Sequence, residues 1–302
     1  MPARQPIALV LATTTVLALG AVSAARHPAA AQGIDLSELN NIVNQATNEL
    51  AVQINLSGRQ RMLTQKMSKE AVLLALGVEP AKTRLKMLKT ALLFDRTLKG
   101  LMHGDKEQNL PPTKQKDILE QLEKVQGLWK EFLPLIIRLG KAKTVERDII
   151  EQIAQKNLPL LAEMNKAVKM YEQASGADTA ELAVVINLSG RQRMLTQRMA
   201  KEYLLAAYGI EPEKNRARMQ KTMELFDRTL KGLLDGDEKQ GLPGTKDPAI
   251  RAQLKKVMDL WAQYRPMLQT PPDKADLKAL EDMSLKILAE MNRAVKMYEE
   301  SW

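Results

Sequence analysis

The sequence contains no cysteine and only two histidines. The lack of cysteine excludes disulfide bonds, thiolate metal sites and a lipid-modified cysteine. His27 and His103 are too few for a histidine-rich metal centre, and no Glu-x-x-His pair is present to hold a di-iron site. Because an enzyme needs a base, a nucleophile or a metal set, the sequence predicts a non-enzymatic protein without metal or cofactor.

Aromatic residues make up only 4% of the chain, and no segment alternates between apolar and polar residues as an exposed strand would. Leu, Ala, Met, Lys, Glu and Gln are abundant instead, and these residues favour helices. The composition therefore predicts an all-α protein whose cores are packed mainly with aliphatic side chains and methionine.

Only one long hydrophobic run is present, Ile7 to Val22, and it follows the basic Arg4. Small residues come directly after it, at 23–25 and 29–31. This layout predicts a signal peptide at 1–31, cleaved between Ala24 and Gln32, and hence a periplasmic or secreted protein. An uncleaved membrane anchor is the alternative.

The formal net charge is +9, with 45 basic and 36 acidic residues. Charges of both signs are spread along the chain, and no aromatic residues are interleaved with basic ones to stack on bases. The sequence therefore predicts no nucleic-acid partner, while its positive balance is compatible with attraction of anions.

The chain repeats itself. The segment Ile54–Glu70 returns at Ile186–Glu202, with 15 of 17 positions identical at an offset of 132 residues. Turn residues and apolar periodicity repeat with it, so that each copy contains four helical segments. We therefore predict two tandem antiparallel four-helix bundles, at residues 32–175 and 176–302.

Within each copy the helix bounds follow from caps and breakers. The first helix is predicted to begin at an Asp35 cap and to end near Leu76, before a Gly-Pro turn. Pro134 is expected to bend or end the third helix. The fourth helix is expected to start near Thr144 in the first copy and near Asp273 in the second.

The end of the fourth helix is also repeated, since 11 of 12 positions are identical between 161–172 and 288–299. In an up-down-up-down bundle the first and fourth helices are neighbours. We therefore expect this tail to pack near the Asn55 end of the repeated segment.

Helical spacing places Leu56, Leu63, Met67 and Leu74 on one buried stripe. Arg61 falls on a different stripe, which is built from small and polar residues and would allow another helix to approach closely. The members of this second stripe are Ser57, Gly58, Thr64 and Gln65. Arg59 points in another direction. Geometry alone leaves open whether both arginines are simply solvated charges.

The run Asn-Leu-Ser-Gly-Arg-Gln-Arg-Met-Leu-Thr-Gln resembles the signature of the PilJ-type domain, the sensor region of type IV pilus methyl-accepting chemotaxis proteins. It also resembles the P-box of NarX-like nitrate/nitrite sensor kinases. There, an arginine before a methionine binds the anion at a dimer interface of periplasmic four-helix bundles. The resemblance implies this role for Arg61 and Arg193. The candidate ligand-binding residues are accordingly Arg61, Gly58, Asn55 and Gln65 with their counterparts Arg193, Gly190, Asn187 and Gln197.

Two functional hypotheses follow. In the first, the protein binds a small oxyanion such as nitrate or nitrite and signals to a membrane receptor or to a pilus or chemosensory protein. In the second, it is a helical interaction module without a small ligand. A buried carboxylate on each arginine, such as Glu163 or Glu290, would favour the second hypothesis. The arginines could meet within one chain or across a homodimer.

Overall fold

The computed structural model describes residues 36–301, so the predicted signal peptide and the Asp35 cap lie outside the described residues. The described part contains no β-strand and has eight α-helices, which confirms the all-α prediction. Their bounds are α1 (Leu36–Ala75), α2 (Pro80–His103), α3 (Lys116–Lys141), α4 (Arg147–Gln173), α5 (Ala180–Ala207), α6 (Pro212–Asp235), α7 (Pro248–Gln269) and α8 (Leu277–Glu300). Within residues 36–301, no helix combines the length and apolarity needed to cross a membrane.

The helices form two four-helix bundles. In the first, α1 packs against α2 and α4, and α3 packs against the same two helices. In the second, α5 and α7 each pack against α6 and α8. Each bundle is centred on an aromatic cluster: the Phe94 and Trp129 ring centroids are 4.4 Å apart, and those of Phe226 and Trp261 are 4.8 Å apart. The prediction of two antiparallel bundles is confirmed.

Short turns enforce the antiparallel arrangement. At the end of α1 the Val78 amide bonds to the Leu73 carbonyl and the Gly77 amide to the Leu74 carbonyl, which is the Schellman pattern. This pattern requires a left-handed residue, and Gly77 has φ 73°. Pro80 then starts α2. The amide of the first helical residue has no acceptor within the helix, so the missing amide hydrogen of proline costs no hydrogen bond there.

The two bundles are joined through their repeated segments, because the most extensive helix contact in the described chain is between α1 and α5. The predicted stripe on α1 is buried. The opposite stripe is buried as well: Ser57 and Thr64 are fully buried, and Arg61 is 1% exposed. The interpretation of Arg61 as a solvated charge is therefore wrong, and the close approach of a second helix occurs within one chain.

The expectation that Pro134 bends or ends the third helix is wrong in one respect, since α3 continues through Pro134 to Lys141. Pro159 and Pro266 likewise lie inside α4 and α7. All three prolines are on exposed faces. The carbonyl that each proline frees can therefore bond to water, while buried neighbours such as Phe132 and Ile136 hold the helix in place.

The fourth helices begin later than predicted, at Arg147 and Leu277. Thr144 lies in a bend of the connection that follows Ala142, the C-terminal cap of α3. Asp273 lies in a separate 3-10 turn, and it is Asp276 whose side chain accepts the Ala279 amide and caps α8. The predicted start near Asp273 is therefore about one helical turn too early in the second copy.

We expect Pro134→Ala to raise the free energy of unfolding by about 1–3 kcal/mol, because alanine restores the missing helical hydrogen bond and has a higher helix propensity. The matched control is Pro80→Ala at the first position of α2, which should leave stability nearly unchanged or lower it slightly. Urea denaturation followed by circular dichroism measures both. A loss of stability in Pro134→Ala would show that the proline fits α3 without strain.

Candidate functional site

Arg61 on α1 and Arg193 on α5 face each other across the contact between the bundles. Their side chains are 1% and 3% exposed. A Cβ added at Gly58 would lie 3.4 Å from Nη2 of Arg61 and 3.7 Å from Nη2 of Arg193. At Gly190 the corresponding Cβ would lie 3.1 Å from Nη2 of Arg193. The two glycines therefore leave the space in which the guanidinium groups meet.

Within the described part of the chain, the Arg61 guanidinium bonds only to neutral oxygens. Its Nη1 donates to Asn165 Oδ1 at 2.8 Å, while its Nη2 donates to the Asn187 carbonyl at 3.2 Å and to Asn187 Oδ1 at 2.7 Å. Within residues 36–301, the buried Nε of Arg61 has no hydrogen-bond acceptor. One donor of this buried cation is thus unused.

Arg193 repeats these bonds with longer distances. Its Nη1 lies 3.3 Å from Asn292 Oδ1, its Nη2 lies 3.1 Å from the Asn55 carbonyl, and its Nε lies 3.4 Å from the Gly190 carbonyl. Each arginine therefore bonds to an asparagine of its own bundle and to one of the other bundle. The arrangement has an approximate twofold symmetry, which is less complete on the Arg193 side.

Carboxylates lie one asparagine away from the guanidinium groups. Asn55 Nδ2 donates to Glu299 Oε2 at 2.5 Å, and Asn187 Nδ2 donates to Glu172. The candidates Glu163 and Glu290 accept bonds from Gln121 with Lys166 and from Gln253 with Arg293, respectively. Among the described residues, no carboxylate bonds directly to Arg61 or Arg193.

The environment of the pair is short of negative charge. Burial, together with the charges of nearby arginines, lowers the pKa of both Arg61 and Arg193 to about 9. Glu172 and Glu299 act in the opposite direction on Arg61 and Arg193, respectively. Burial raises the pKa of the Glu299 carboxyl group. The charged forms of both guanidinium groups are thus disfavoured in this site relative to water.

Arg59 and Arg191 make contacts outside the guanidinium pair. Arg59 points away from the pair, as predicted. Nη2 of Arg59 donates to Gln108 Oε1 at 2.6 Å and to Thr97 Oγ1 at 3.2 Å. Arg191 makes the same contacts with Gln240 and Thr229. These arginines are half-buried, and each bonds to the 3-10 turn that follows the second helix of its bundle.

The structure places the eight predicted site residues in two layers. Arg61, Arg193, Gly58, Gly190, Asn55 and Asn187 are together at the guanidinium pair. Gln65 and Gln197 lie further along α1 and α5, where Gln65 accepts a bond from Lys201 and Gln197 donates to the Ser284 carbonyl. The prediction therefore brought together residues of two distinct sites.

Sequence reasoning missed the fourth-helix contributions, although it placed the helix end correctly. Asn165 and Asn292, with Glu172 and Glu299, come from the repeated tail that was expected near Asn55. The 11 identities of 12 in that tail were the available signal. Lys69 and Lys201 were also missed, because a lysine within an apolar segment is ordinarily assigned to the surface.

Fold and site together define a tandem helical-bundle protein with a buried polar centre between its two halves. A family model described as PilJ, type IV pili methyl-accepting chemotaxis transducer N-term, matches residues 42–155 and 178–283. The chain therefore belongs to the PilJ family, carries the domain in two tandem copies, and is a module of the signalling type.

The methyl-accepting chemotaxis protein McpN of Pseudomonas aeruginosa is 33% identical to this chain over 115 residues. The match covers 37% of this chain and 21% of McpN. The chain thus aligns with about a fifth of this chemotaxis protein.

We expect Arg193→Met to leave the unfolding temperature unchanged or higher in buffer of low anion content, because the substitution removes a buried charge whose desolvation is unfavourable by several kcal/mol. The matched control is Arg191→Met, two residues away, which loses bonds to Gln240 and Thr229. That variant should be destabilised by about 1–3 kcal/mol.

Thermal unfolding followed by circular dichroism compares the two variants. A larger loss in Arg193→Met than in Arg191→Met would mean that the pair stabilises the fold rather than straining it.

Proposed function

We propose that this protein is a sensor module that binds a small oxyanion, such as nitrate or nitrite, between Arg61 and Arg193. The observation that carries the proposal is a pair of buried guanidinium groups that face each other and bond to neutral oxygens instead of carboxylates. Two like charges in a dry site repel each other, and an anion between them would offset both the repulsion and the lost hydration.

The donors suit a planar oxyanion. Guanidinium N–H groups lie in a plane and remain charged at neutral pH, so they match the oxygens of a trigonal anion. Both Nη2 atoms approach the space above Gly58, and Arg61 Nε is unused. With charge-assisted bonds contributing about 1.5–3 kcal/mol each, less the cost of displacing the asparagine oxygens, we expect a Kd between about 10 µM and 1 mM.

The site also provides a route from binding to signalling. Asn187 bonds to Arg61 and to Glu172, and Asn55 bonds to Arg193 through its carbonyl and to Glu299 through its side chain. An anion that takes over the guanidinium donors would loosen these bonds, which connect each bundle to the fourth helix of the other. Binding would thereby change how α1 and α5 pack.

We further propose that the protein works in the periplasm after export and passes its state to a membrane receptor or to a pilus or chemosensory protein. Support comes from the PilJ family, whose description is that of a chemotaxis transducer, and from the similarity to McpN. The apolar run Ile7–Val22 supports export.

A second candidate function, a helical interaction module without a small ligand, rests on one observation. All four Nη atoms of the pair already have asparagine acceptors. In that case the pair specifies how the two bundles dock, as buried polar groups do in some helical assemblies.

Nitrate or nitrite should raise the unfolding temperature of the mature protein in low-halide buffer, with a stabilisation that grows as RT ln(1 + [L]/Kd). Arg61→Ala and Arg193→Ala should lose this effect, because one guanidinium alone cannot hold the anion. Arg59→Ala should keep it. Differential scanning calorimetry measures the unfolding temperature, and isothermal titration calorimetry measures the Kd. No response of the parent to any oxyanion would leave the interaction module as the function.

Gly58→Ala separates anion binding from folding. The added Cβ would be in ordinary van der Waals contact with both guanidinium groups, at 3.4 and 3.7 Å, and alanine is about 1 kcal/mol better than glycine inside a helix. We therefore expect a protein as stable as the parent that binds nitrate at least about tenfold more weakly, or 1.4 kcal/mol. Undiminished nitrate binding by this variant would contradict an anion site above Gly58.

A further inference from the structure

The two copies differ in the bonding partners of a second buried cation, which is Lys69 on α1 in the first copy. Its side chain is fully buried, and its Nζ is paired with a carboxylate oxygen of Glu281 on α8 and donates to Ser284 Oγ at 3.0 Å. The other oxygen of Glu281 lies 3.8 Å from Lys86 Nζ on α2. A carboxylate of the second bundle therefore sits between two lysines of the first.

The repeat places Lys201 and Arg218 at the positions of Lys69 and Lys86. The carboxylate is not repeated, because the alignment of the α4 and α8 tails puts Ala154 where the second copy has Glu281. Lys201 is 3% exposed, and among residues 36–301 its acceptors are two neutral oxygens, Gln65 Oε1 at 2.7 Å and Asn157 Oδ1 at 3.0 Å. Since an ammonium group has three donors, one remains available.

A cavity of about 290 Å³ lies at this position, between α4, α5 and α6. Lys201, Arg218 and Ala154 are part of its lining, so the cavity reaches the place that Glu281 fills on the other side of the molecule. Its remaining wall is partly apolar and includes Leu158, which is 39% exposed, and Leu205. The cavity thus combines a buried cation with an apolar wall.

We propose that this cavity binds a small aliphatic monocarboxylate, whose carboxylate group lies between Lys201 and Arg218 and whose chain lies against Leu158 and Leu205. The ligand would supply to Lys201 the negative charge that Glu281 supplies to Lys69, while Arg218 already has a carboxylate oxygen of Glu211 at 3.7 Å from its Nη1. The site is separate from the guanidinium pair, since Lys201 is eight residues beyond Arg193, or about 12 Å along α5.

The surrounding charges select this class of ligand. Burial lowers the pKa of Lys201 to about 8, and Glu202 next to it acts in the opposite direction, so the ammonium group is charged at pH 7. Glu151 and Glu211 also line the cavity. A second carboxylate on the ligand would approach these acids, which disfavours dicarboxylates, whereas an aliphatic chain removes apolar wall from water.

The probes are acetate, propionate, butyrate and valerate, with succinate and nitrate as controls, titrated into the full mature protein and followed by calorimetry and by NMR of ¹³C-labelled probe. Affinity should rise with chain length from acetate to butyrate and should be weaker for succinate. Ala154→Glu places a carboxylate at the position equivalent to Glu281, so it should weaken butyrate binding at least about tenfold while raising the unfolding temperature.

Glu281→Ala is the reciprocal variant. It removes the partner of Lys69 and should lower the unfolding temperature, and added acetate or propionate should restore part of the loss by entering the vacated position. This variant is expected to gain stability when a carboxylate is added. It therefore tests whether a free carboxylate can pair with the buried lysine, even if Ala154→Glu folds poorly.

Arg61→Ala should bind butyrate as the parent does, and Ala154→Glu should bind nitrate as the parent does, so that a failure of one site is distinguishable from a failure of the other. The proposal is overturned if no monocarboxylate binds the parent, or if Ala154→Glu, still folded, binds butyrate with parental affinity.

Discussion

The constraint on which the structure depends is the burial of two guanidinium groups where α1 meets α5. Charged side chains are rarely buried without a charged partner, yet Arg61 and Arg193 bond to asparagines. This arrangement explains a segment that is poor in helix propensity. Gly58 and Gly190 weaken their helices, but they lie directly against the guanidinium groups: an added Cβ would be 3.4 Å from Arg61 Nη2 at Gly58 and 3.1 Å from Arg193 Nη2 at Gly190. The segment is therefore organised by the contact between bundles and not by the stability of either helix.

The polar centre is layered along the same two helices. Beyond the arginines, Gln65 on α1 accepts from Lys201 on α5 and donates to Asn157 on α4. The arginine layer and the lysine layer are thus connected through α1, on which Arg61 and Gln65 are one turn apart and face the same neighbour. Both layers therefore belong to the contact between α1 and α5.

The fold was largely predictable because apolar periodicity and turn residues are local signals. The stripe through Leu63 and the Gly77 turn specify a helix and its end without knowledge of the rest of the chain. Pro134 could not be judged in this way, since its effect depends on which face of α3 meets water. The arginine pair was predictable from the repeated segment and its resemblance, whereas the role of Lys201 was not. The role of Lys201 depends on Ala154, which lies 47 positions earlier in the chain. Ala154 becomes informative only when α4 is aligned with α8, because it then stands where the second copy has Glu281.

The tandem arrangement accounts for this difference between the copies. In a symmetric homodimer both copies of an interface carry the same residues, so a glutamate at one lysine would be present at the other as well. Joining the copies in one chain removes that restriction. Glu281 neutralises Lys69 on one side, while Ala154 leaves Lys201 beside a cavity on the other. The arginine layer is nearly symmetric, because each arginine bonds to one asparagine of its own bundle and to one of the other. The lysine layer is not symmetric, since Lys69 and Lys201 have different surroundings.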